Sequence, residues 1–479
     1  MRTAFYEKNI TVVGLARSGV GAANLLARLG AKVTVTDRKG PQQLDEFIKA
    51  LDPGVSLALG SHPADIFESA DIIVVSPGVP SDIEPLSVAR TSGVRVIGEL
   101  ELAFQILRSG VTGAIPEFLA VTGTNGKSTT TALLNEMLRS GGIGTVLGGN
   151  IGNSLAAEIH DIIKSGRMNA RYMVAELSSF QLETIEGFRP KGAAILNLTP
   201  DHLDRYHEMN AYIEAKCRIA LNQEASDFLV LNADDPLTGS IENIVSINKQ
   251  KPAFFYFSRK RKVEGVYYEN GKIFFNLPAG KLLQIGPGLQ PPDASCVLEP
   301  GLFRIKGVHN VENGMAAALM ACLAGCGIGG IKKALAEFPG LEHRLEFVRE
   351  LGGVAYINDS KGTNVGAVLK SLEGFKEPVI LIAGGRDKDS DFTLLRSLVK
   401  EKVKCMVLVG DAAGKMSKAL CDVTECIMAG YDFKNAVAKA SRAAAPGDVV
   451  LLSPACASFD MFSDFEDRGR QFKKLVAEL

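Results

Sequence analysis

Residues 121–129 read Val-Thr-Gly-Thr-Asn-Gly-Lys-Ser-Thr, entered by the apolar run Phe118-Leu-Ala-Val121 and followed by a helical pattern. These residue types at this spacing can bind a polyphosphate. Gly123 and Gly126 let backbone N–H groups turn toward phosphate oxygens, and a helix N-terminus adds partial positive charge. Lys127 can reach the outer phosphates, and the Ser128 hydroxyl can hold Mg²⁺. The usual phosphate-loop pattern wants a glycine where Val121 stands, and Gly123 is the glycine available instead. A tight strand-to-helix turn with an incidental lysine is the other reading, but packing gives no reason for Gly-Lys-Ser-Thr at such a switch.

Further chemistry-bearing residues fall just after apolar runs. Glu176 ends Tyr172-Met-Val-Ala175, where a carboxylate beside a phosphate loop can bind Mg²⁺; a loop carboxylate or helix cap is the alternative. Asp201-His202-Leu-Asp204 follows Ala193–Leu196, and His202 is one of only six histidines, so its place among acids favours a metal role. Lys216, in Asn210-Ala-Tyr-Ile-Glu-Ala-Lys-Cys217, reads from composition as an ordinary helix lysine. Asn310 and Asn313 are three apart on a helix and share a face, as base-reading amides or as helix caps. His343-Arg344 and Asp359-Ser-Lys361-Gly-Thr-Asn364 can close over phosphates or make an inter-domain salt bridge.

A second glycine-bearing turn, Gly14-Leu-Ala-Arg-Ser-Gly19, has Ala16 where the dinucleotide fingerprint wants its middle glycine. Asp37 ends the next strand, and Ser76-Pro-Gly78 ends another. All would lie on the carboxyl edge of one sheet, where open α/β sheets bind ligands; a plain βα turn explains Gly14–Gly19 equally well.

Elements that position these residues alternate. Strands are expected at Ile10–Val13, Lys32–Thr36, Ile72–Val75 and Val94–Ile97, with a helix at Gly19–Leu29. More are expected at Leu119–Val121, Tyr172–Ala175, Ala193–Leu196 and Phe228–Leu231, then at Val354–Ile357, Val379–Ala383, Cys405–Val409 and Val449–Leu452. The alternation predicts an α/β fold with parallel sheets. Residues 250–306 differ: Phe254–Phe257, Val266–Tyr268 and Ile273–Phe275 suggest short antiparallel strands forming a subdomain before a helix near His309. At 479 residues the chain exceeds one core, and boundaries are set near 107 and 340: residues 1–107, 108–340 and 341–479.

Composition narrows the class. A net charge of −1 gives no electrostatic case for nucleic acid or an acidic membrane. No apolar run approaches 18 residues and no signal segment is evident, so no membrane insertion is expected. The eight cysteines show no metal or redox spacing, Cys322 and Cys326 read as buried thiols, and the expected compartment is the reducing cytoplasm.

Taken in order, Thr122–Ser128, Glu176-Leu-Ser-Ser-Phe-Gln-Leu-Glu183, Asp201–Arg205, His309-Asn-x-x-Asn313, His343-Arg344 and Asp359–Asn364 resemble the Mur ligases along nearly the whole chain. The tail Leu452-Ser-Pro-Ala-Cys-Ala-Ser-Phe-Asp460, with Phe462, Phe465-Glu466, Arg468-Gly469 and Phe472, is similar to the D-glutamate-adding branch. The resemblance implies three α/β domains: Rossmann-like and UDP-binding, a central phosphate-loop ATPase, and a Rossmann-like amino-acid-binding domain. It implies a soluble cytoplasmic monomer that uses ATP, UDP-N-acetylmuramoyl-L-alanine and D-glutamate as small-molecule substrates. Two Mg²⁺ are implied, one held by Ser128 and Glu176, the other by His202 and by Lys216 as an N-carbamate. Lys127, His202, Lys216 and Lys361 would be catalytic. Gly123, Thr124, Asn125, Gly126, Lys127, Ser128, Thr129, Asn310, Asn313, Arg344 and Asp359 would contact ATP. Leu15, Ser18, Asp37, Arg38, Ser76, Gly78 and Asn150 would hold the UDP substrate, with Arg38 and Lys39 both candidates for its phosphates. Thr363, Lys388, Ser458 and Phe465 would hold D-glutamate. Rival readings are a sister ligase or a folylpolyglutamate synthase-like enzyme, a dehydrogenase using Gly14–Gly19, and a non-catalytic nucleotide-gated module. The Asp-Asn-Pro-Arg motif of the diaminopimelate-adding enzymes is absent, and a dehydrogenase leaves the phosphate loop unexplained.

Overall fold

The computed structural model describes residues 3–166, 168–206, 208–247, 251–286, 288–289, 297–305 and 307–479. Three sheets carry the fold. The first contains β1 (Asn9–Val13), β2 (Lys32–Asp37), β3 (Ser56–Leu59), β4 (Ile72–Val75) and β5 (Arg95–Gly98), all parallel in the order β3-β2-β1-β4-β5. Reversal of strand order between β1 and β4 opens a crevice at their carboxyl ends, where Gly14 and Ser76 stand.

The second sheet contains β6 (Glu117–Thr122), β7 (Thr145–Gly149), β8 (Tyr172–Glu176), β9 (Gly192–Ile195), β10 (Phe228–Asn232), β11 (Ala253–Ser258), β12 (Gly265–Glu269), β13 (Lys272–Asn276) and β14 (Val297–Leu298). Their order is β14-β13-β12-β11-β10-β9-β6-β8-β7. β12 and β13 are antiparallel, as their composition suggests, but β11 runs parallel to both β10 and β12. The 250–306 strands therefore extend the central sheet and do not form a separate layer. Phe255 and Phe257, both buried, continue the apolar face of β10.

The third sheet contains β15 (Glu346–Leu351), β16 (Val354–Asn358), β17 (Val379–Gly384), β18 (Val403–Val409), β19 (Glu425–Gly430) and β20 (Val449–Leu452), ordered β15-β16-β20-β17-β18-β19. Only β15 is antiparallel. Strands buried on both faces, such as Val379-Ile-Leu-Ile-Ala383, are apolar throughout because helices cover both sides.

By compactness the chain divides into two units. One comprises Met1–Leu198, Asn210–Leu302 and Glu312–Ala336; the other comprises Thr199–Met209, Phe303–Val311 and Glu337–Leu479. The first and second sheets share the first unit. Helix Arg17–Arg28 packs on helix Leu155–Ser165, with Gly21 so close that a Cβ would overlap the Ser154 hydroxyl. No helix among the described residues is long and apolar enough to cross a membrane.

Cys421 and Cys426, whose spacing gave no reason to pair them, form a disulfide. Cys217, Cys322, Cys326, Cys405 and Cys456 are free thiols, with Cys326 buried as expected and Cys322 half-buried.

Candidate active site

The phosphate loop leaves the carboxyl end of β6. Gly123 has φ +143° and Gly126 has φ +84°, conformations that glycine adopts without penalty. Gly126 caps helix Lys127–Ser140, so the N-terminal amides of that helix face the loop. A residue the sequence reading passed over clamps the loop. The Asn197 side chain accepts the Asn125 N–H at 2.8 Å and donates to the Asn125 carbonyl at 3.0 Å, while its carbonyl accepts the Thr124 N–H at 2.9 Å. Asn197 follows a strand just as Glu176 does, and that shared position was the available signal. Lys127 folds back on its own loop, donating to the carbonyls of Gly123 at 2.9 Å and Thr124 at 2.7 Å. An anion in the loop would compete for that ammonium.

Around this loop the first unit gathers Ser128, Glu176, Asn150 and Lys216. Ser128 and Glu176 are buried, and Glu176 is the register partner of Val121 across β6 and β8. Asn150 donates its amide to Glu176 Oε1 at 2.8 Å, and its backbone N–H bonds the Glu176 carbonyl at 2.8 Å. Asn150 therefore holds the carboxylate's orientation. Lys216 is 2% exposed, lies over the Tyr212 ring at 4.7 Å, and donates to the Gly123 carbonyl at 2.9 Å. Tyr212 in turn meets the Thr124 hydroxyl at 3.2 Å. The hydroxyl and carboxylate of Ser128 and Glu176 are hard oxygen donors suited to Mg²⁺. An amine is not such a donor, whereas a carbamate on Lys216 would be. Thr130 donates to Asn313 Oδ1 at 3.3 Å, which ties the loop helix to helix Val308–Leu323. Thr129, in the first turn of the loop helix, is also buried.

At the first sheet, Gly14 has φ +95° and lies so close to Val79 that a Cβ would approach it to 2.8 Å. Ser76 donates to the Gly14 carbonyl at 2.9 Å. Asp37 accepts the Leu15 N–H at 2.7 Å through one oxygen and the Lys39 N–H at 2.9 Å through the other. Its carboxylate thus shapes the turn as well as lining it. Ser18, Arg38, Lys39 and Gly78 are not buried, and both cations are exposed.

The second unit gathers the remaining candidates. Asp359, 5% exposed, accepts the hydroxyls of Ser371 and Ser453 at 2.7 Å each and the Leu345 N–H at 3.3 Å. Burial raises its pKa, and those hydroxyls and Arg344 oppose the rise. His309 is pushed down to about 4, first by burial and then by Arg344 and Lys370, so it is neutral at physiological pH. Lys361 sits over the Phe465 ring at 5.0 Å, and its N–H bonds the His343 carbonyl at 3.1 Å. Buried Arg468 binds the Ser360 hydroxyl at 3.0 Å, the Ser360 carbonyl at 2.9 Å and the Cys456 carbonyl at 3.2 Å. It thereby joins the Lys361 segment to the Ser458 segment. Arg386 and Ala457 exchange backbone hydrogen bonds, which brings the Lys388 loop beside Ser458. Thr363 lies two residues after Lys361, so Thr363, Lys388, Ser458 and Phe465 are all carried by segments at the carboxyl edge of the third sheet.

His202 belongs to this unit, with φ +55°, its N–H bonded to Asp201 Oδ1 at 3.0 Å; Asp201 Oδ2 accepts the Asn364 amide at 3.1 Å. The Asp204 side chain lies outside the described residues. Asn310 is counted with this unit and Asn313 with the other. Glu342, His343 and Glu346 have a metal-ligand composition, but Lys473 bonds both carboxylates and meets their charge.

Three family models match: a Mur ligase MurD-like N-terminal domain over residues 8–98, a Mur ligase middle domain over 121–321, and a Mur ligase glutamate ligase domain over 343–456. The chain is 45% identical over 475 residues to a UDP-N-acetylmuramoylalanine--D-glutamate ligase of Geotalea uraniireducens, covering 99% of this chain and 98% of that one. It is 42% identical to the protein of the same name from Pelotomaculum thermopropionicum, covering 99% and 98%. Among solved structures, the fold is similar to the UDP-N-acetylmuramate-alanine ligase MurC of Thermotoga maritima, with TM-score 0.62, 19% identity and coverage of 98% and 99%. It is also similar to a pseudomurein peptide ligase type C of Methanothermus fervidus, with TM-score 0.58, 19% identity and coverage of 98% and 99%. With the phosphate loop, the strand-end carboxylate and all three domain models in place along one chain, this protein belongs to the Mur ligase family.

Proposed function

We propose that the protein is an ATP-dependent ligase that joins D-glutamate to the L-alanine carboxylate of UDP-N-acetylmuramoyl-L-alanine, a step in peptidoglycan precursor synthesis. The observation that carries this reading is the gathering of Lys127, Ser128, Glu176 and Lys216 around one glycine turn at the carboxyl end of β6. A carboxylate oxygen of the acceptor attacks the γ-phosphorus of ATP, ADP leaves, and an acyl phosphate forms. The D-glutamate amine then attacks the acyl carbon, a tetrahedral intermediate collapses, and inorganic phosphate departs with its C–O bond electrons. Lys127 neutralises charge that spreads over the transferring phosphoryl group, and the loop amides hold the β- and γ-phosphates in line.

Mg²⁺ would be held by Ser128 and Glu176, with a second ion at His202 and a carbamate on Lys216. Such ions supply electrostatic stabilisation of phosphate oxygens. Carbamylation joins the neutral Lys216 amine to CO₂ with loss of a proton, and it converts a buried cation into an oxygen ligand. Asn310, Asn313, Arg344 and Asp359 are assigned to ATP, with Lys361 near its phosphates. Thr363, Lys388, Ser458 and the Phe465 backbone are assigned to D-glutamate. Leu15, Ser18, Asp37, Ser76, Gly78 and Asn150, with Arg38 or Lys39, are assigned to the UDP substrate. Domain limits of 1–107, 108–340 and 341–479, a monomeric state and a cytoplasmic location complete the proposal.

The test is phosphate release with ATP, UDP-N-acetylmuramoyl-L-alanine and a panel of amino acids. Release specific to D-glutamate supports the reading. Release with another amino acid would move the chain to a sister activity, and none with any amino acid would refute it.

A further inference from the structure

The first unit has a cavity of about 380 Å³ on the side of the central sheet away from the phosphate loop. It lies at the amino ends of β6, β9 and β10, whereas the loop leaves the carboxyl end of β6. Its walls come from helix Glu99–Arg108, from the segment that enters β6, and from the turn before β9. That turn is rigid for a visible reason. Glu101, 1% exposed, accepts the N–H groups of Glu186 and Phe188 at 2.9 Å and of Gly187 at 3.0 Å. The rings of Phe104, Phe118 and Phe188 pack edge-on or tilted behind it, with centroids 5.3–6.0 Å apart.

The lining has two characters. Ile115, Pro116 and the rings of Phe104 and Phe118 form an apolar wall, and Ile115 is 50% exposed. Arg108, Arg189 and Lys191 bring three cations against the two carboxylates of Glu117 and Asp227, a surplus of one positive charge in the lining. Arg189 is engaged by Asp227 at 2.6 Å and Glu224 at 2.7 Å. Lys191 donates to the carbonyls of Ser226, at 2.5 Å, and Ile285, at 2.8 Å, which leaves its charge without a carboxylate. Arg108 and Glu117, both exposed, make no side-chain hydrogen bond or ion pair among the described residues. The groups left over are therefore one guanidinium, one ammonium and one carboxylate beside an apolar wall.

We propose that this cavity is a second ligand site, for a small amphiphilic monocarboxylate whose aromatic body carries a hydrogen-bond donor. The carboxylate pairs with the Arg108 fork, where planar bidentate geometry favours carboxylate over a point anion, and with Lys191. The ring covers Ile115 and Pro116, and the donor meets Glu117. A dianion fits poorly, since Glu224 and Asp227 already occupy Arg189 and, with Glu117, repel a second negative charge. The volume falls within the usual range for small-molecule sites.

The experiment uses the full chain and 3-(4-hydroxyphenyl)propionate as probe, with tyramine as the cationic counterpart. Binding is followed by calorimetry and by the methyl resonance of Ile115. The expected result is a Kd below about 1 mM for the carboxylate, at least about tenfold weaker binding of tyramine, and a shift of the Ile115 methyl. Arg108→Gln, at an exposed helix end, should weaken the carboxylate about tenfold or more while leaving ADP affinity unchanged. Ile115→Glu should weaken it independently by adding negative charge to the apolar wall. No saturable binding, equal affinity for the two probes, an unshifted Ile115, or displacement of the probe by ATP would each overturn the proposal. Ligation activity is not read, so failure here leaves the proposed ligase reaction untouched.

Discussion

The side-chain nitrogens of Lys127 and Lys216 each lie 2.9 Å from the same acceptor, the carbonyl oxygen of Gly123. One comes from the loop's own helix and the other from helix Met209–Cys217, and Lys216 is almost wholly buried. Two ammonium groups on one carbonyl repel strongly in a site shielded from water. A carbamate on Lys216 would replace that repulsion with attraction to Lys127 or to a divalent ion.

From this pairing, Lys216→Ala should be nearly inactive and should recover part of its turnover when acetate or formate is added, since a small carboxylate can fill the vacated space. Lys127→Ala should be inactive without such rescue. Steady-state phosphate release at several carboxylate concentrations separates the two. Equal rescue of both variants, or of neither, would remove the carbamate assignment.

Gly126 faces Asn313 at a distance that leaves no room for a methyl group, and its φ of +84° already disfavours other residues. Gly126→Ala should cost about 1–2 kcal/mol in backbone strain and push the Asn313 amide off Thr130. The expected outcome is a stable fold with ATP affinity reduced about tenfold or more. Calorimetry with a non-hydrolysable ATP analogue checks it, and unchanged affinity would argue that the loop does not close on Asn313.

The strands that sequence patterning found and those it missed divide by position in the sheets. β3, β7, β14, β15 and β19 went unseen, and each lies at an edge of its sheet; of the edge strands only β5 was expected, from the apolar Val94, Val96 and Ile97. An edge strand buries at most part of each face, as β3 and β19 show with exposed positions alternating irregularly, so no apolar run marks it. Interior strands such as β8 and β17, fully buried, were plain. The sites divide likewise. Glycines, Lys127 and strand-end acids were legible because their chemistry is local. Asn197, Tyr212 and Arg468 were not, because their roles lie in contacts with segments distant in sequence.

Lys388 stands in the loop after β17, half-buried, beside the segment that carries Ser458. Lys388→Ala should raise the KM for D-glutamate roughly thirtyfold, equivalent to about 2 kcal/mol for a partly desolvated charge-assisted contact, with little change in the KM for ATP. The same charge should make the wild-type enzyme reject D-glutamine, whose neutral amide leaves an ammonium unpaired. Initial rates with both amino acids and both nucleotide concentrations varied give the answer. A KM effect confined to ATP would transfer Lys388 to the nucleotide site.

Glu99 gives a prediction about pH. It is 1% exposed at the start of helix Glu99–Arg108, and its Oε1 accepts the Ala156 N–H at 2.6 Å in the first turn of helix Leu155–Ser165. Its Oε2 is buried with no hydrogen-bond partner. Burial pushes its pKa from 4.5 up to about 7, opposed only by the Ala156 bond. Because the folded value is the higher one, the unfolded chain releases this proton first as pH rises. Below about pH 4.5 the group is neutral in both states and costs nothing; between there and about 7 stability falls; above 7 the loss levels off at about 3 kcal/mol. Glu99→Gln keeps an oxygen for Ala156 and abolishes the titration, while its NH₂ group meets the same apolar surroundings at every pH. Its stability relative to wild type should therefore climb by about 2 kcal/mol from about pH 5 to about pH 8, whatever its absolute value. Urea unfolding of both proteins across that range measures the difference, and a flat difference would mean that Glu99 ionises in the folded protein as readily as in the unfolded chain.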